Sequence, residues 1–316
     1  MRTMGQGTVA RRPLAEHPVW ARALHGDGLA SRMILPVVVS ASVEDRERVE
    51  GTGQLERLSI TELVRDARAA ASAGFAGLLL FGATDRKDAR AFIASERDHI
   101  LPRAIRAVKE AVPELGVAID VCVCAYTDHG QCVLFRDGGA DVNGTLERLG
   151  EIAVAHADAG ADLIFSSGML DGSVAALRRA LAGEHDGVAV AAMTKLESSL
   201  YSIDRLLVQS APIRERAVPL LASDDASASR ARALRDVSEG ADAVVVTPGT
   251  ALDIVAELRP LVGRPLIAFH TADEHAAFVA AAEDLDGPAA ERETLAASRR
   301  AGADLVISHG AWNAAE

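Results

Sequence analysis

Cysteine, lysine and aromatic residues are scarce in this chain of 316 residues. It contains three cysteines and three lysines, and aromatic residues make up 3% of it. Three cysteines cannot all pair with one another, and a reducing cytosol would keep them as thiols, so a disulfide framework is not expected. A core with so few aromatic side chains must be built mainly from aliphatic residues, which fits the 49% hydrophobic content.

Long apolar runs and an excess of positive charge are also missing. Charged residues interrupt every apolar segment well before the roughly 18 residues that a membrane span needs, so we expect no transmembrane helix and no membrane partner. The first twenty residues, MRTMGQGTVARRPLAEHPVW, lack the apolar centre of a secretory signal, and a cytoplasmic location is expected. The net charge of −12 argues against a nucleic-acid partner, because phosphate binding needs clustered Lys and Arg.

One pattern recurs along the chain: an alanine-rich helix ends at glycine and a short apolar run follows. It occurs in AASAGFAGLLLF, AHADAGADLIFSS, VSEGADAVVVTP and SRRAGADLVISH. Glycine accepts the left-handed backbone that ends a helix, and the apolar run is typical of a buried parallel strand. With MILPVVV, GVAIDVCVC, GVAVAAMT and RPLIAFH there are eight strand candidates, which favour a (β/α)8 TIM barrel.

The segment VPLLAS is a ninth strand candidate, so a doubly wound sheet of nine or ten strands stays open as an alternative. Residues 1–30 precede the first strand and are expected to form an N-terminal arm, and residues 31–316 a single barrel domain. The segment SDDASASRAR is small and polar and is expected to be a loop.

Side chains at the carboxyl ends of barrel strands are expected to meet at one mouth, where barrel enzymes place their chemistry. The expected strand ends carry Cys122 and Cys124, Ser167, Lys195, Thr247, His270 and His309.

All three cysteines lie within DVCVCAYTDHGQC, residues 120–132. On an extended strand Cys122 and Cys124 would point to the same side, with Cys132 returning from the next loop. Three thiolates suit Zn²⁺ and leave its fourth position for water or substrate, as in a catalytic site. The alternatives are that the cysteines are small core residues or a redox pair. His129 is a further possible ligand or proton carrier.

The chain resembles porphobilinogen synthase, also called 5-aminolevulinate dehydratase. The resemblance runs through RLSITELV, LPRAIRAVKEAVPELGVAIDVCVCAYTDHGQC, AGADLIFSSGMLDG, MTKLESSLYSIDR, EGADAVVVTP, LDIV and AGADLVIS. It implies a barrel with an N-terminal arm, assembled as a homo-oligomer between a dimer and an octamer, that condenses two molecules of 5-aminolevulinate through Schiff bases on two lysines beside a cysteine-bound zinc.

Carried over residue by residue, the resemblance covers one half of that site. Lys195 matches the first Schiff-base lysine, Cys122, Cys124 and Cys132 match the zinc ligands, and Ser167, Tyr201 and Arg205 also match. The other half departs from the family. Thr247 stands where the second lysine is expected, Phe269 and Ala272 replace a tyrosine and a serine, and Ser308-His309 replaces Thr-Tyr. Gly168 replaces an aspartate, and the basic and aromatic lid sequence is missing.

Neither Lys87 nor Lys109 matches a catalytic strand end. Lys87 follows the second strand and could reach the mouth, but it is expected to be a solvated loop lysine, so the second Schiff base has no obvious substitute. We therefore expect a small-molecule substrate with keto and carboxylate groups. Lys195, His309 and Ser167 are expected to act in catalysis, Arg205, Tyr201, Thr247 and His270 to contact substrate, and the cysteines to hold Zn²⁺.

Three functions remain open. The first is a diverged lyase in which Lys195 forms an iminium and a zinc-bound water or His309 moves protons. The second is a porphobilinogen synthase with residual activity. The third is a non-catalytic zinc-binding paralogue that regulates or assembles with a true synthase.

Overall fold

The structure, a computed structural model, describes residues 14–210, 212, 215–281 and 286–315. Residues 1–13 of the expected N-terminal arm lie outside the described residues.

The strands of the described part, in chain order, are β1 (Met33–Ser40), β2 (Arg46–Arg48), β3 (Glu56–Leu58), β4 (Gly77–Ala83), β5 (Gly116–Val121), β6 (Leu134–Arg136), β7 (Gly139–Asp141), β8 (Leu163–Ser166), β9 (Ala189–Lys195), β10 (Ala243–Thr247), β11 (Leu266–Phe269) and β12 (Leu305–Ile307). The α-helices are α1 (Trp20–His25), α2 (Ile60–Ser72), α3 (Ile100–Ala111), α4 (Val142–Asp158), α5 (Ser173–Leu181), α6 (Ser202–Leu207), α7 (Ala226–Glu239), α8 (Leu252–Val262), α9 (Ala272–Ala280) and α10 (Gly287–Ala301). Short 3-10 helices cover Leu14–Glu16, Ala30–Arg32, Phe92–Ser95 and His309–Ala314.

Eight parallel strands close into a barrel in the order β1, β4, β5, β8, β9, β10, β11, β12. Closure comes from β12 pairing with β1, in the register Met33 to Val306 and Ile34 to Ile307. The short strands β2 and β3 extend the sheet beside β1, and β6 and β7 form a separate hairpin. The predicted (β/α)8 TIM barrel is confirmed. No helix in the described ranges is both long and apolar enough to cross a membrane.

Glycines end the helices that lead into the strands, as the repeated sequence pattern predicts. Gly240 closes α7 with φ of 113°, and Gly302 closes α10 with φ of 119°. A β-carbon is strained in this left-handed conformation, so glycine lets the chain turn directly from the helix into the next strand.

Alternate residues of each barrel strand face either the helices or the barrel interior. The inner cluster includes Ile34, Leu79, Phe165 and Val245, and the outer cluster packs the other strand faces against the helices. At the amino-terminal end of the barrel the interior is filled by Leu14 and Trp20, which are both fully buried.

The Trp20 ring fits into the end of the barrel because two strands begin with glycine. A β-carbon on Gly77 or on Gly116 would lie 2.7 Å from the indole ring, far closer than normal van der Waals contact. Of the expected arm, residues 14–30 therefore include side chains that complete the lower core of the barrel.

Two local expectations are wrong. Residues 218–223, the ninth strand candidate, contribute only an isolated bridge between Leu221 and Leu196. Most of SDDASASRAR forms the start of α7 rather than a loop, with the Asp225 carboxylate accepting hydrogen bonds from the backbone N–H groups of Ser227 and Ala228. This carboxylate satisfies amide groups that the first helical turn leaves unpaired.

Candidate active site

Each barrel strand, or the residue or two that follow it, contributes at least one side chain to the cavity at the mouth. Around the barrel these are Val38, Phe81, Asp120, Ser167, Lys195, Thr247, Phe269 and His309. Seven of these eight residues lie two positions after a residue of the inner cluster, such as Phe81 after Leu79 and Lys195 after Met193, because side chains alternate along a strand.

Lys195 ends β9 and reaches into this cavity. Its Nζ lies 4.2 Å from the centre of the Tyr201 ring. Burial lowers the pKa of the Lys195 ammonium below its ordinary value, and the nearby Asp204 carboxylate partly opposes this effect. A buried amine with a lowered pKa is more often unprotonated at neutral pH, which is the state that can attack a carbonyl.

Two carboxylates and one guanidinium that the sequence did not single out also line the cavity: Asp120, Asp204 and Arg216. Burial raises the pKa of Asp120 to about 6, while a hydrogen bond with the side chain of Ser167 and the charge of Lys195 act against that rise. Asp120 was visible in the sequence as the residue two positions before the first cysteine. Asp204 and Arg216 lie in segments whose position over the mouth depends on the tertiary fold.

The three cysteines converge as predicted, but not along an extended strand. β5 ends at Val121, and Cys122 and Cys124 lie in the turn that follows it. The sulfur atoms of Cys122, Cys124 and Cys132 all lie within 4.8 Å of one another. Hydrogen bonds from Cys122 and then Cys124 hold the pKa of the Cys132 thiol below its ordinary value, so the cluster favours at least one thiolate.

The chemistry of this donor set fits a metal ion such as Zn²⁺. Tetrahedral zinc with Zn–S bonds of about 2.3 Å requires sulfur atoms roughly 3.8 Å apart, which is compatible with the spacing here. Three thiolates leave one position open. A β-carbon on Gly168 would lie 3.6 Å from the Cys122 sulfur, so the glycine leaves the side of the cluster uncrowded.

Gln131 connects the cysteine loop to the segment that covers the mouth. Its side-chain amide donates to the carbonyl oxygen of Glu215 over 2.9 Å, and its side-chain oxygen accepts from the N–H of Ala217 over 3.0 Å. Arg216 lies between these two residues, so the position of this cation depends on the residue directly before Cys132.

Thr247 pairs in register with Lys195 on the neighbouring strand. It is 1% exposed, and its hydroxyl group has no hydrogen-bond partner among the described residues. Its backbone carbonyl lies 3.0 Å from the Tyr201 hydroxyl, which also lies 2.8 Å from the carbonyl of Leu196. Tyr201 therefore ties the ends of β9 and β10 together, and Thr247 presents an unused polar group beside the lysine.

The structure brings most of the predicted site residues to the cavity. Those that line it are Cys122, Cys124, Cys132, Ser167, Lys195, Tyr201, Arg205, Thr247 and His309. The Nε2 atom of His309 lies 3.8 Å from a carboxylate oxygen of Asp204.

His270 does not reach the cavity, contrary to the prediction. It follows β11 immediately, but its ring points outward between the helices, where Nε2 lies 2.7 Å from the Ser298 hydroxyl. The strand alternation explains this orientation, because the preceding residue, Phe269, occupies the inward position. His275 pairs with Glu291 at 2.9 Å, and His129 packs against Phe135.

Comparisons with known proteins agree with this geometry. The family model of delta-aminolevulinic acid dehydratase matches residues 11–316. The delta-aminolevulinic acid dehydratase of Escherichia coli (strain K12) is 36% identical over 298 residues, which cover 90% of this chain and 89% of that protein. The one from Bos taurus is 35% identical over 292 residues, with 89% and 88% covered.

The fold matches a solved structure equally well. The delta-aminolevulinic acid dehydratase (porphobilinogen synthase) of Toxoplasma gondii ME49, in complex with the reaction product porphobilinogen, has a TM-score of 0.87 and 31% identity, covering 93% of this chain and 87% of that one. This chain belongs to the delta-aminolevulinic acid dehydratase, or porphobilinogen synthase, family.

Proposed function

We propose that this chain is a diverged lyase of its family in which Lys195 forms a Schiff base with 5-aminolevulinate or a related amino ketone or oxo acid. The observation that carries the proposal is the position of Lys195. It is the one lysine among the described residues that line the cavity, it is desolvated, and the register places Thr247 beside it. Threonine has no amine, so the neighbouring strand cannot supply a second Schiff base.

The chemistry of the step is simple. The Lys195 nitrogen adds to the ketone carbon, and the carbonyl oxygen leaves as water with the two protons of the amine, which leaves an imine. His309, within 3.8 Å of Asp204, is placed to move protons in a later dehydration or aldol-type step. Arg205 and Arg216 on the cavity wall are suited to the substrate carboxylate.

We further propose that Cys122, Cys124 and Cys132 hold Zn²⁺. The observation that supports this is the close approach of three sulfur atoms around one point. When bound, the metal would supply a Lewis acid next to the substrate.

Borohydride trapping followed by peptide mass spectrometry tests the Schiff base. With 5-aminolevulinate and related oxo acids we expect a reduced adduct on the peptide that contains Lys195, and its loss in Lys195→Arg. Lys109→Arg is the control, because Lys109 does not line the cavity and forms a half-buried ion pair with Asp162 over 3.0 Å that arginine can keep. Absence of any adduct across the set of oxo acids would refute the proposal.

Metal analysis tests the zinc site. We expect about one zinc per chain in the wild type and a large loss in Cys124→Ser, since one of three protein ligands is removed. His185→Gln is the control, because His185 pairs with Asp158 over 2.9 Å and does not line the cavity. Equal zinc content in the wild type and Cys124→Ser would contradict the site.

A second candidate function, residual synthesis of porphobilinogen, is favoured by the family match itself. Loss of the second covalent anchor should lower the rate by several orders of magnitude, because orientation supplies much of the rate of a two-substrate reaction. A product assay with 5-aminolevulinate separates the two functions. Rapid formation of porphobilinogen would exclude divergence, and an adduct without product would support it. A binding-only paralogue would show neither.

We also propose a homo-oligomer, which rests on family membership. Light scattering of the purified protein should give a mass that is a multiple of the 33.1 kDa chain. A mass of one chain across the concentration range would contradict it.

A further inference from the structure

The mouth of the barrel has two chemically different halves. The polar half is formed by Asp120, Ser167, Lys195 and Thr247 on the consecutive barrel strands β5, β8, β9 and β10. The other half is formed by Phe269, His309, Val38 and Phe81 on or just after β11, β12, β1 and β4. Because the strand order around the barrel is continuous, each set forms one side of the same cavity.

Apart from His309, the side chains that the second half presents to the cavity are apolar. Val38 and Phe81 are direct register partners on β1 and β4. Leu207 at the end of α6 packs with Val38 and Phe81 in one cluster, and Phe269 is only 7% exposed. A carbon chain against these side chains would bury apolar surface from water, whereas a charged group would lose its hydration.

Cations are confined to the other side among the described residues. The lysine and arginine side chains that line the cavity there are Lys195, Arg205 and Arg216. Arg205 and Arg216 both interact electrostatically with Cys132, so they lie towards the cysteine cluster.

Two ionisable groups, His309 and Asp204, lie beside the apolar side chains, and the Asp204 charge also acts on Lys195. The Asp204 carboxylate lies within 3.8 Å of His309 and accepts a hydrogen bond from the N–H of Ala272 over 3.3 Å. A second substrate carboxylate placed here would be repelled by Asp204 and would meet no arginine or lysine of the described wall.

Hydroxyl groups offer little to a second carboxylate here. The Tyr201 hydroxyl lies against two backbone carbonyls, so its proton is already used. The Thr271 hydroxyl accepts the N–H of Glu274 as the cap of α9 and has one proton left to donate, which does not neutralise a carboxylate.

From this distribution we infer that the site takes a monocarboxylate oxo acid whose remaining chain is uncharged and apolar. The carbonyl meets Lys195, the carboxylate faces Arg205 and Arg216, and the apolar chain lies against Val38, Phe81, Leu207 and Phe269. This inference rests on the proposed Schiff base at Lys195 and adds the class of substrate to it.

Two probes of equal carbon number test the inference. 4-Oxoheptanoate and 4-oxoheptanedioate share a ketone and one carboxylate and differ at the far end, which is a methyl group in the first and a second carboxylate in the second. In borohydride trapping we expect 4-oxoheptanoate to half-saturate Lys195 at a concentration at least about tenfold lower than 4-oxoheptanedioate does. The apolar side chains would remove water from the second carboxylate of the dicarboxylate without pairing its charge.

The outcomes separate this inference from the function on which it rests. Equal trapping of the two probes, or a preference for the dicarboxylate, overturns the inference and leaves the Schiff base at Lys195 intact. No adduct with either probe or with 5-aminolevulinate overturns both.

The variant Phe81→Ala tests whether the preference for 4-oxoheptanoate depends on the apolar side chains. Phe81→Ala should raise the half-saturating concentration of 4-oxoheptanoate by about five- to tenfold, while that of 4-oxopentanoate, which carries only a methyl group beyond its ketone, should change less than about twofold. Leu234→Ala, on the exposed face of α7, is the control. Val38→Ala makes the same test with a smaller truncation if Phe81→Ala does not fold. An unchanged ratio of the two probes in the folded variant overturns the inference.

Discussion

Thr247 stands beside Lys195 with a buried hydroxyl group that lies near the Tyr201 hydroxyl but makes no hydrogen bond of ordinary geometry with a described residue. A buried polar group without a partner destabilises the folded chain unless a ligand or water satisfies it. We expect Thr247→Val to keep or raise the free energy of unfolding, by up to about 1 kcal/mol, and to reduce Schiff-base trapping at Lys195 by about tenfold, because the substrate loses its hydrogen-bond partner. Urea denaturation and borohydride trapping measure the two effects.

Thr194→Val is a matched control for that prediction. Thr194 is also fully buried with an unpaired hydroxyl group, but it precedes Lys195 and faces away from the cavity. Its substitution should have the same effect on stability and none on trapping. Equal losses of trapping in both variants would show that the Thr247 hydroxyl has no role in substrate binding.

His156 makes the stability of the chain depend on pH. It is fully buried in α4 with no described partner for either ring nitrogen, and burial, followed by the charge of His99, lowers its pKa to about 3. The unfolded chain binds a proton near pH 6.5 and the folded chain does not, so stability is full above pH 6.5 and falls as the pH decreases towards 3. At pH 5 the loss through this residue is about 2 kcal/mol.

His156→Leu should therefore lose less stability than the wild type between pH 8 and pH 5. Urea denaturation at both values measures the difference. His25→Leu, at an exposed position of α1, provides the same substitution as a control. An identical pH dependence in the wild type and His156→Leu would contradict the buried, uncharged state of this ring.

The sequence identifies the residues of the site that depend on local pattern, and misses those that depend on tertiary folding. Lys195 and the cysteines could be found because strand ends and short spacings mark them. His270 was expected in the cavity, but side chains alternate along the strand, and the residue that points inward is its neighbour Phe269. Asp204 and Arg216 reach the cavity only because α6 and the segment after it fold over the mouth, and no spacing in the sequence records that contact.

At the scale of elements, α10 holds the last 3-10 helix in place through one buried carboxylate. Glu291 pairs with His275 at 2.9 Å and accepts a hydrogen bond from the Asn313 side chain at 2.8 Å. A β-carbon on Gly310 would lie 2.1 Å from this carboxylate, so the two elements are in close contact. The position of His309, the first residue of the 3-10 helix, thus depends on a residue outside the cavity.

Glu291→Gln should reduce the free energy of unfolding by about 1–3 kcal/mol, because the neutral amide replaces a charged hydrogen-bond acceptor in a buried network. Glu293→Gln, two residues along the same helix at an exposed position, should change it by less than about 0.5 kcal/mol. Chemical denaturation of both variants measures the difference. Equal stabilities would contradict the bridging role of Glu291.

The helix α7 shows why an element can be missed. Its first residues, small and polar, have no apolar periodicity, and the buried side chains along α7 are Ser229, Arg232, Ala233 and Asp236. The helix packs through an internal ion pair, Arg232 with Asp236 at 2.7 Å, rather than through an apolar stripe. Hydrophobic patterning cannot detect such a face, although the Asp225 cap is a local signal that the sequence did contain.

At the scale of the whole molecule, the barrel was predictable because every βα unit repeats the same physical pattern. The closure between β12 and β1 and the filling of the lower end by Leu14 and Trp20 were not, since these contacts join residues far apart in the chain. The boundary expected near residue 30 lies just before β1, but residues on both sides of it pack in the same core.

Trp20→Ala should therefore reduce the free energy of unfolding by more than a truncation at the surface does. We expect a loss of about 3–5 kcal/mol in the free energy of unfolding, because a large cavity would remain inside the barrel. Trp312→Ala is the matched control: Trp312 is 38% exposed and contacts Phe75, so its loss should be clearly smaller. Each variant keeps the other of the two tryptophans as a fluorescent probe of unfolding. A smaller effect at Trp20 than at Trp312 would contradict this packing.

The filled lower end of the barrel also affects steady-state kinetics. With Trp20 and Leu14 occupying that end, substrate and product reach Lys195 through the same opening at the mouth. A product that has not left then blocks the next substrate from entering. Product inhibition should accordingly be competitive with the substrate that binds Lys195, and slow departure of product would limit turnover even if the bond-making steps were fast.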